Sequence, residues 1–259
     1  MPDNRHSKLL MLLLSQGQMS VQDISASLKA SLATVRRDLL ELERLGHIER
    51  LHGSARIATG SHRELAFSAR EQNQIAAKRA IASQAAKLIQ PNESVFLDAG
   101  TTVLQLARHI RSIEMPINVF TNGLVIAQEL AHVSNVSVTL IGGRVRAENQ
   151  SMVGPAAISM LEGLWFDWLF LGATSIDDKG NLTSVDADEA ATNAQMIKRC
   201  KELVVLADTS KFGRKSTFAV DRLKQGDLLI TNAAPEGKFA QYLKSTGVGV
   251  MLAQVATHG

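Results

Sequence analysis

Residues 20–39 read SVQDISASLKASLATVRRDL. Ser20 followed three residues later by Asp23 resembles a capping box, and Val21, Ile24, Ala26 and Leu28 give a short amphipathic helix behind it. Lys29 and Ala30 form a tight turn. Ser31 then suits the N-cap of a second helix, because its hydroxyl can accept the free N–H groups of the first turn. Leu32, Val35, Leu39, Leu42 and Leu45 recur three or four apart and predict the buried stripe of that helix, with Gly46 as its C-terminal stop. The other face offers Ser31, Ala33, Thr34, Arg36 and Arg37. Small polar groups in the first turn reach base edges in a major groove, and adjacent arginines hold phosphates.

Working outward, Arg5 to Gln16 carries Leu9, Leu12, Leu13 and Leu14 and predicts a leading helix ended by Gly17. Downstream, His47–Leu51 and Ser54–Ile57 read as two strands about His52-Gly53, a hairpin whose Arg50, His52 and Arg56 are available to DNA. Three helices and a basic hairpin make a winged helix-turn-helix over residues 1–57. Across that span 8 Lys/Arg face 6 Asp/Glu, a margin that a helical module with solvated arginines would also show. The positions decide instead, since the basic residues gather at the two places where a winged helix meets its duplex.

The whole chain has a net charge of +3 over 259 residues, too small a total to identify a nucleic-acid binder. Cys200 is the single cysteine, so no internal disulfide and no Cys-based zinc site can form, and a reducing, cytoplasmic location fits. The apolar run Leu9–Leu14 has six residues, against the roughly 20 that span a bilayer. Neither a signal peptide nor a membrane anchor is expected, and no metal or cofactor is called for.

From residue 58 to 73 the chain is polar without a sustained period, which reads as a linker. From 74 to 259 the pattern alternates helices with apolar strands: Ser94–Asp98, Ile117–Thr121, Val136–Ile141, Phe170–Gly172, Leu203–Asp208, Asp227–Thr231 and Val248–Leu252. That alternation predicts an α/β domain on an open parallel sheet. Ligands of such sheets bind at the carboxyl ends of strands. There stand Asp98, Gly100, Thr101 and Thr102 at a helix N-terminus suited to a phosphate, then Thr121 and Asn122, then Gly142 and Gly143, and Lys211 in the run Asp208–Gly213. Strand-to-helix turns use Gly, Thr and Asn for structural reasons too, and Lys211 could equally be a surface lysine. No phosphate-binding GxxxxGK[ST] and no GxGxxG occurs, which argues against nucleoside triphosphates and dinucleotides.

SVQDISASLKASLATVRRDL, with the following LERLG and RLHGSA, resembles the N-terminal domain of the DeoR family of bacterial sugar-metabolism repressors. In that family Ser-x-x-Thr-[Val/Ile]-Arg-Arg-Asp-Leu marks the recognition helix. The wing here reads His52-Gly53-Ser54-Ala55, one glycine short of the family's pattern. Lys78, Asp98-x-Gly-Thr-Thr, Thr121-Asn122, Gly142-Gly143, Asp167–Gly172 and Ala207–Gly213 resemble the family's C-terminal sensor domain, similar in fold to ribose-5-phosphate isomerase and CoA-transferase-like proteins. The resemblance implies a repressor of a carbohydrate-catabolism operon that binds double-stranded operator DNA as a homo-oligomer, dimer or tetramer. It implies an effector that is a phosphorylated sugar or polyol. Asp188-Glu189-Ala190-x-x-Asn193 resembles the branch that controls amino-sugar and galactitol-type catabolism, although two acids at the start of a helix also suit its dipole.

Two alternatives stay open on sequence. One is a sugar-phosphate isomerase with a fused DNA-binding module, since Asp98, Asp208 and Lys211 sit at strand ends. The other is an architectural DNA-binding protein whose C-terminal domain only oligomerises.

Overall fold

The computed structural model describes residues 2–58 and 62–254, which divide into two compact units parting between Ile75 and Ala76, with 147–149 grouped with the first. The first unit contains α1 (Pro2–Gln16), β1 (Met19–Ser20), α2 (Val21–Leu28), α3 (Leu32–Arg44), β2 (Ile48–Leu51), β3 (Ser54–Ile57) and α4 (His62–Gln72). The caps form as the sequence predicts. Ser20 Oγ accepts the Asp23 N–H at 3.1 Å, and Ser31 Oγ accepts the Thr34 N–H at 3.2 Å. Lys29 takes the left-handed conformation, φ +50°, that turns the chain between α2 and α3. The strands form a small antiparallel sheet in the order β1-β3-β2, with Met19 opposite Ala55 and Ile48 opposite Ile57. Leu9, Leu13, Ile24, Val35, Leu39, Leu42, Ile48 and Ala55 build one core beneath it.

Two expectations need correction. Leu32 and Leu45, assigned to the buried stripe of α3, are 41% and 48% exposed. They lie at the two ends of the helix, beyond its packed middle, while Asp38 occupies the buried side. Residues 62–72, expected to be featureless linker, form α4, which packs along α1 and buries Phe67 and Ala69. Its apolar side is narrow and its other residues are polar helix formers, so no sustained period shows in the sequence. The remaining linker positions 59–61 lie outside the described residues.

The second unit runs α5 (Ile75–Ala86), β4 (Ser94–Leu97), α6 (Thr101–Ile110), β5 (Ile117–Thr121), α7 (Leu124–Leu130), β6 (Val136–Leu140), β7 (Arg144–Arg146), β8 (Ser151–Val153), α8 (Pro155–Glu162), β9 (Phe166–Gly172), β10 (Ser175–Ile176), β11 (Asn181–Ser184), α9 (Ala187–Ile197), β12 (Cys200–Leu206), β13 (Phe218–Arg222), β14 (Leu228–Thr231), α10 (Gly237–Thr246) and β15 (Gly249–Leu252). Seven strands form one parallel sheet in the order β15-β14-β12-β9-β4-β5-β6. Val95, Phe96 and Leu97 are all fully buried, as a strand covered on both faces requires. The hairpin β7/β8 and the antiparallel group β10-β11-β13 are additions that the sequence reading does not contain. They are two to five residues long and largely polar, too short to show a period.

The chain leaves β4 toward one edge through β5 and β6, and fills the other side through β9, β12, β14 and β15. The pair β4/β9 is therefore the point where the winding reverses, and in open sheets of this kind the carboxyl ends of the strands at that point are where ligands bind. Among the described residues, no helix is long and apolar enough to cross a membrane, and no group of three metal-ligating side chains gathers.

Candidate DNA interface and effector crevice

On α3, the exposed side carries Ala33, Arg36 and Arg37, and neither arginine makes an ion pair among the described residues. The hydroxyls of Ser31 and Thr34, expected to reach base edges, hydrogen-bond each other at 2.8 Å as part of the cap. The wing arginines are also engaged. Arg50 Nη1 lies 3.4 Å from Glu43 Oε2, and Arg56 Nη2 lies 2.6 Å from Glu49 Oε2. Both pairs are exposed, and exposed pairs are weak enough to exchange for phosphate. His52 is exposed at the hairpin turn. A cavity of about 240 Å³ separates α3 from the wing, lined by Leu32, Arg36, Arg50, Leu51 and Ser54 among others.

Asp38 of the Arg-Arg-Asp-Leu run contributes structure. It is 4% exposed and accepts from Arg5 Nη2 at 2.8 Å, with His6 Nε2 at 3.2 Å from its carboxylate. The hydrogen bond from Arg5 holds its carboxyl below the usual range. The pair ties α1 to α3 and so sets where the recognition helix stands.

In the second unit, Asp98 ends β4 at the switch point. Its Oδ2 accepts the N–H of Gly172, at the end of β9, at 3.1 Å. Asn122, after β5, accepts the Ala99 N–H at 3.0 Å through Oδ1 and hydrogen-bonds Asp98 through its side chain. Burial pushes the Asp98 carboxyl up to about 7, and the nearby charge of Glu189 adds to the rise. Glu189 on α9 is itself buried, accepts from Ser184 Oγ, and stands 3.3 Å from Nη1 of the buried Arg146. Asn193, one turn further along α9, is 7% exposed, and its Oδ1 has no hydrogen-bond partner among the described residues. It faces a small cavity shared with Gly172, Thr174, Ser175 and Ser184.

Gly100 is the N-cap of α6 and supplies no side-chain cap, so no side chain satisfies the first-turn N–H groups at Thr101 and Thr102. A Cβ on Gly100 would sit 3.3 Å from Gly172 Cα, so a side chain there would need the two strand ends to part by a few tenths of an ångström.

Other residues expected at the site have structural tasks. The Thr121 hydroxyl is fully buried; it donates to the Leu97 carbonyl at 2.6 Å and accepts from the Gly123 N–H at 2.9 Å, fastening β5 to β4. The Gly142 N–H points at Met160 Sδ, 3.3 Å away. Gly143 has φ +148°, and a Cβ there would lie 3.0 Å from the Val153 carbonyl oxygen. Asp188 is 46% exposed and pairs with Arg144 at 2.5 Å. Lys78 is buried in α5 and Lys211 half-buried on the turn after β12; both have partners within the fold, so neither is a spare cation.

A DeoR-like helix-turn-helix domain matches residues 5–60, and the DeoR C-terminal sensor domain matches residues 73–233. The chain belongs to the DeoR family. It is 36% identical to the HTH-type transcriptional regulator GlpR of Haloferax volcanii, over 97% of this chain and 98% of that one. It is 30% identical to the transcriptional repressor CsqR of Escherichia coli K12, over 96% and 95% of the two chains. It is 32% identical to the lactose phosphotransferase system repressor of Streptococcus mutans, over 95% and 98%. Among solved structures, ribose 5-phosphate isomerase A of Methanocaldococcus jannaschii is similar over 54% of this chain and 55% of that one, with 18% identity and a TM-score of 0.39.

This DeoR-family chain is a DNA-binding transcriptional regulator, and relatives named as regulators and repressors over nearly its whole length do not favour the isomerase alternative. Two polar groups of its sensor domain escaped the sequence reading. Arg146 and Ser184 lie on strands too short to recognise, and nothing but their burial beside Glu189 marks them.

Proposed function

We propose that this regulator represses an operon for carbohydrate breakdown, and that a phosphorylated sugar or polyol in the β4/β9 crevice releases it from its operator. The carrying observation is the set of polar groups about the carboxyl ends of β4 and β9. Asp98, Glu189 and the unpartnered Asn193 Oδ1 supply acceptors for hydroxyl groups, while the uncapped start of α6 supplies N–H donors for a phosphate. A ligand with hydroxyls at one end and an anion at the other matches both sets. The sugar-linked name of the Streptococcus mutans relative supports the same class.

The chain works in the cytoplasm as a homo-oligomer, because a helix-turn-helix reads paired half-sites most effectively as a two-fold pair. The effector acts by differential affinity for the two arrangements of the DNA-binding domains. Gel-shift titrations test this. A site selected from randomised duplex DNA is bound by the full chain, then challenged with a panel of phosphorylated sugars and polyols. Release by one class is the expected result, and unchanged affinity across the panel would falsify the proposal.

A further inference from the structure

We infer that Leu32 reads a thymine methyl group in the operator, so that base recognition at the start of α3 is apolar. This rests on the operator reading above and adds which chemical group on the DNA is recognised.

Two independent observations carry it. First, the polar side chains of the first turn are already committed. Ser31 Oγ accepts the Thr34 N–H at 3.2 Å, and the Ser31 and Thr34 hydroxyls bond to each other at 2.8 Å. Redirecting Ser31 to a base edge would uncap the helix that must enter the groove, and redirecting Thr34 would break the bond between the two hydroxyls. Second, Leu32 is not used by the core. Its spacing from Val35 and Leu39 suits burial, yet it is 41% exposed whereas those two are 0% and 1% exposed. It lines the cleft between α3 and the wing together with Arg36 and Arg50, the cations placed to meet a backbone phosphate. What the first turn presents to a duplex is therefore the isobutyl group of Leu32 and the methyl of Ala33, with cations behind them. In the major groove, the base feature that matches an apolar side chain is the C5 methyl of thymine.

The test uses the full chain and a duplex selected from a randomised library, resynthesised with deoxyuridine in place of each thymidine in turn. Uridine keeps the pairing and removes only the methyl. The inference expects one position per half-site where uracil weakens wild-type binding by about three- to fivefold, the worth of one buried methyl. At that position Leu32→Ala should bind thymine and uracil duplexes equally, while its melting temperature and its losses at other positions stay as in wild type. Leu32→Gln should move the preferred base there toward adenine, which a glutamine can pair bidentately. Wild-type binding indifferent to uracil at every position would overturn the inference, as would a methyl effect that persists undiminished in Leu32→Ala. If no sequence is enriched at all, the operator reading itself fails, a result distinct from both.

Discussion

Asp98 Oδ2 accepts the backbone N–H of Gly172 at 3.1 Å, joining the end of β4 to the end of β9 where the sheet reverses its winding. The carboxyl is buried and close to Glu189, which raises its pKa from 3.8 to about 7. Between those values the folded chain keeps a proton that the unfolded chain has released, so this group lowers stability progressively as pH rises through the window. Asp98→Asn removes the titration and keeps the shape. Its unfolding free energy is expected to exceed that of wild type at about pH 8 by an amount on the order of a few kcal/mol, seen as a higher melting temperature, and to converge with it near pH 4. Parallel melting curves for the two proteins across that range would contradict the assignment.

Asn193 presents a second group whose position suits a ligand better than it suits the fold. Its Oδ1 is buried without a partner, and an unsatisfied buried acceptor costs about 1–3 kcal/mol. Asn193→Leu has similar volume and no polar atoms. The variant should be as stable as wild type or more so in thermal melts, should bind operator DNA normally, and should lose its response to the effector. Retention of full effector response would show that Asn193 faces no ligand.

The parts legible in the sequence are those where one residue type answers one backbone demand. Ser20 and Ser31 cap their helices, Lys29 turns the chain, and the apolar strands β4 and β12 fall where their residues predict. Leu32 misled because helical spacing gives the direction of a side chain and not whether anything packs there. Thr121 misled for the converse reason: a hydroxyl at a strand end suits both a ligand and a backbone carbonyl, and here Leu97 takes it. Arg146 was invisible because its partners Asp186 and Glu189 lie 40 and more residues away in sequence.

Asp38 belongs to the recognition motif yet serves the fold. Removing its charge in Asp38→Asn leaves Arg5 without its carboxylate and loosens α3 from α1. Arg5 is about a third exposed, so the expected loss is moderate, about 1–2 kcal/mol in the thermal or urea unfolding of the full chain. Because the native carboxyl is held below its ordinary pKa, the wild-type advantage is complete above that value and fades as pH falls below about 4. DNA affinity should fall with it, with no change in salt slope, since no phosphate contact is removed.

The arginines of α3 and of the wing predict opposite effects from two sets of changes. Arg36 and Arg37 have no carboxylate partner among the described residues, so each contact they make with a phosphate releases counterions. Arg36→Ala and Arg37→Ala should weaken binding and make log K against log salt shallower by about one each. Arg50 and Arg56 are held by Glu43 and Glu49, and DNA must compete for them. Glu43→Gln and Glu49→Gln remove that competition along with a negative charge beside the duplex. Each should tighten binding by about two- to fivefold at moderate salt, the scale of an exposed ion pair, with the gain shrinking as salt rises. Fluorescence anisotropy across a salt series measures both sets. Weaker binding by the glutamine variants would mean that the glutamates shape the wing for DNA instead of restraining its arginines.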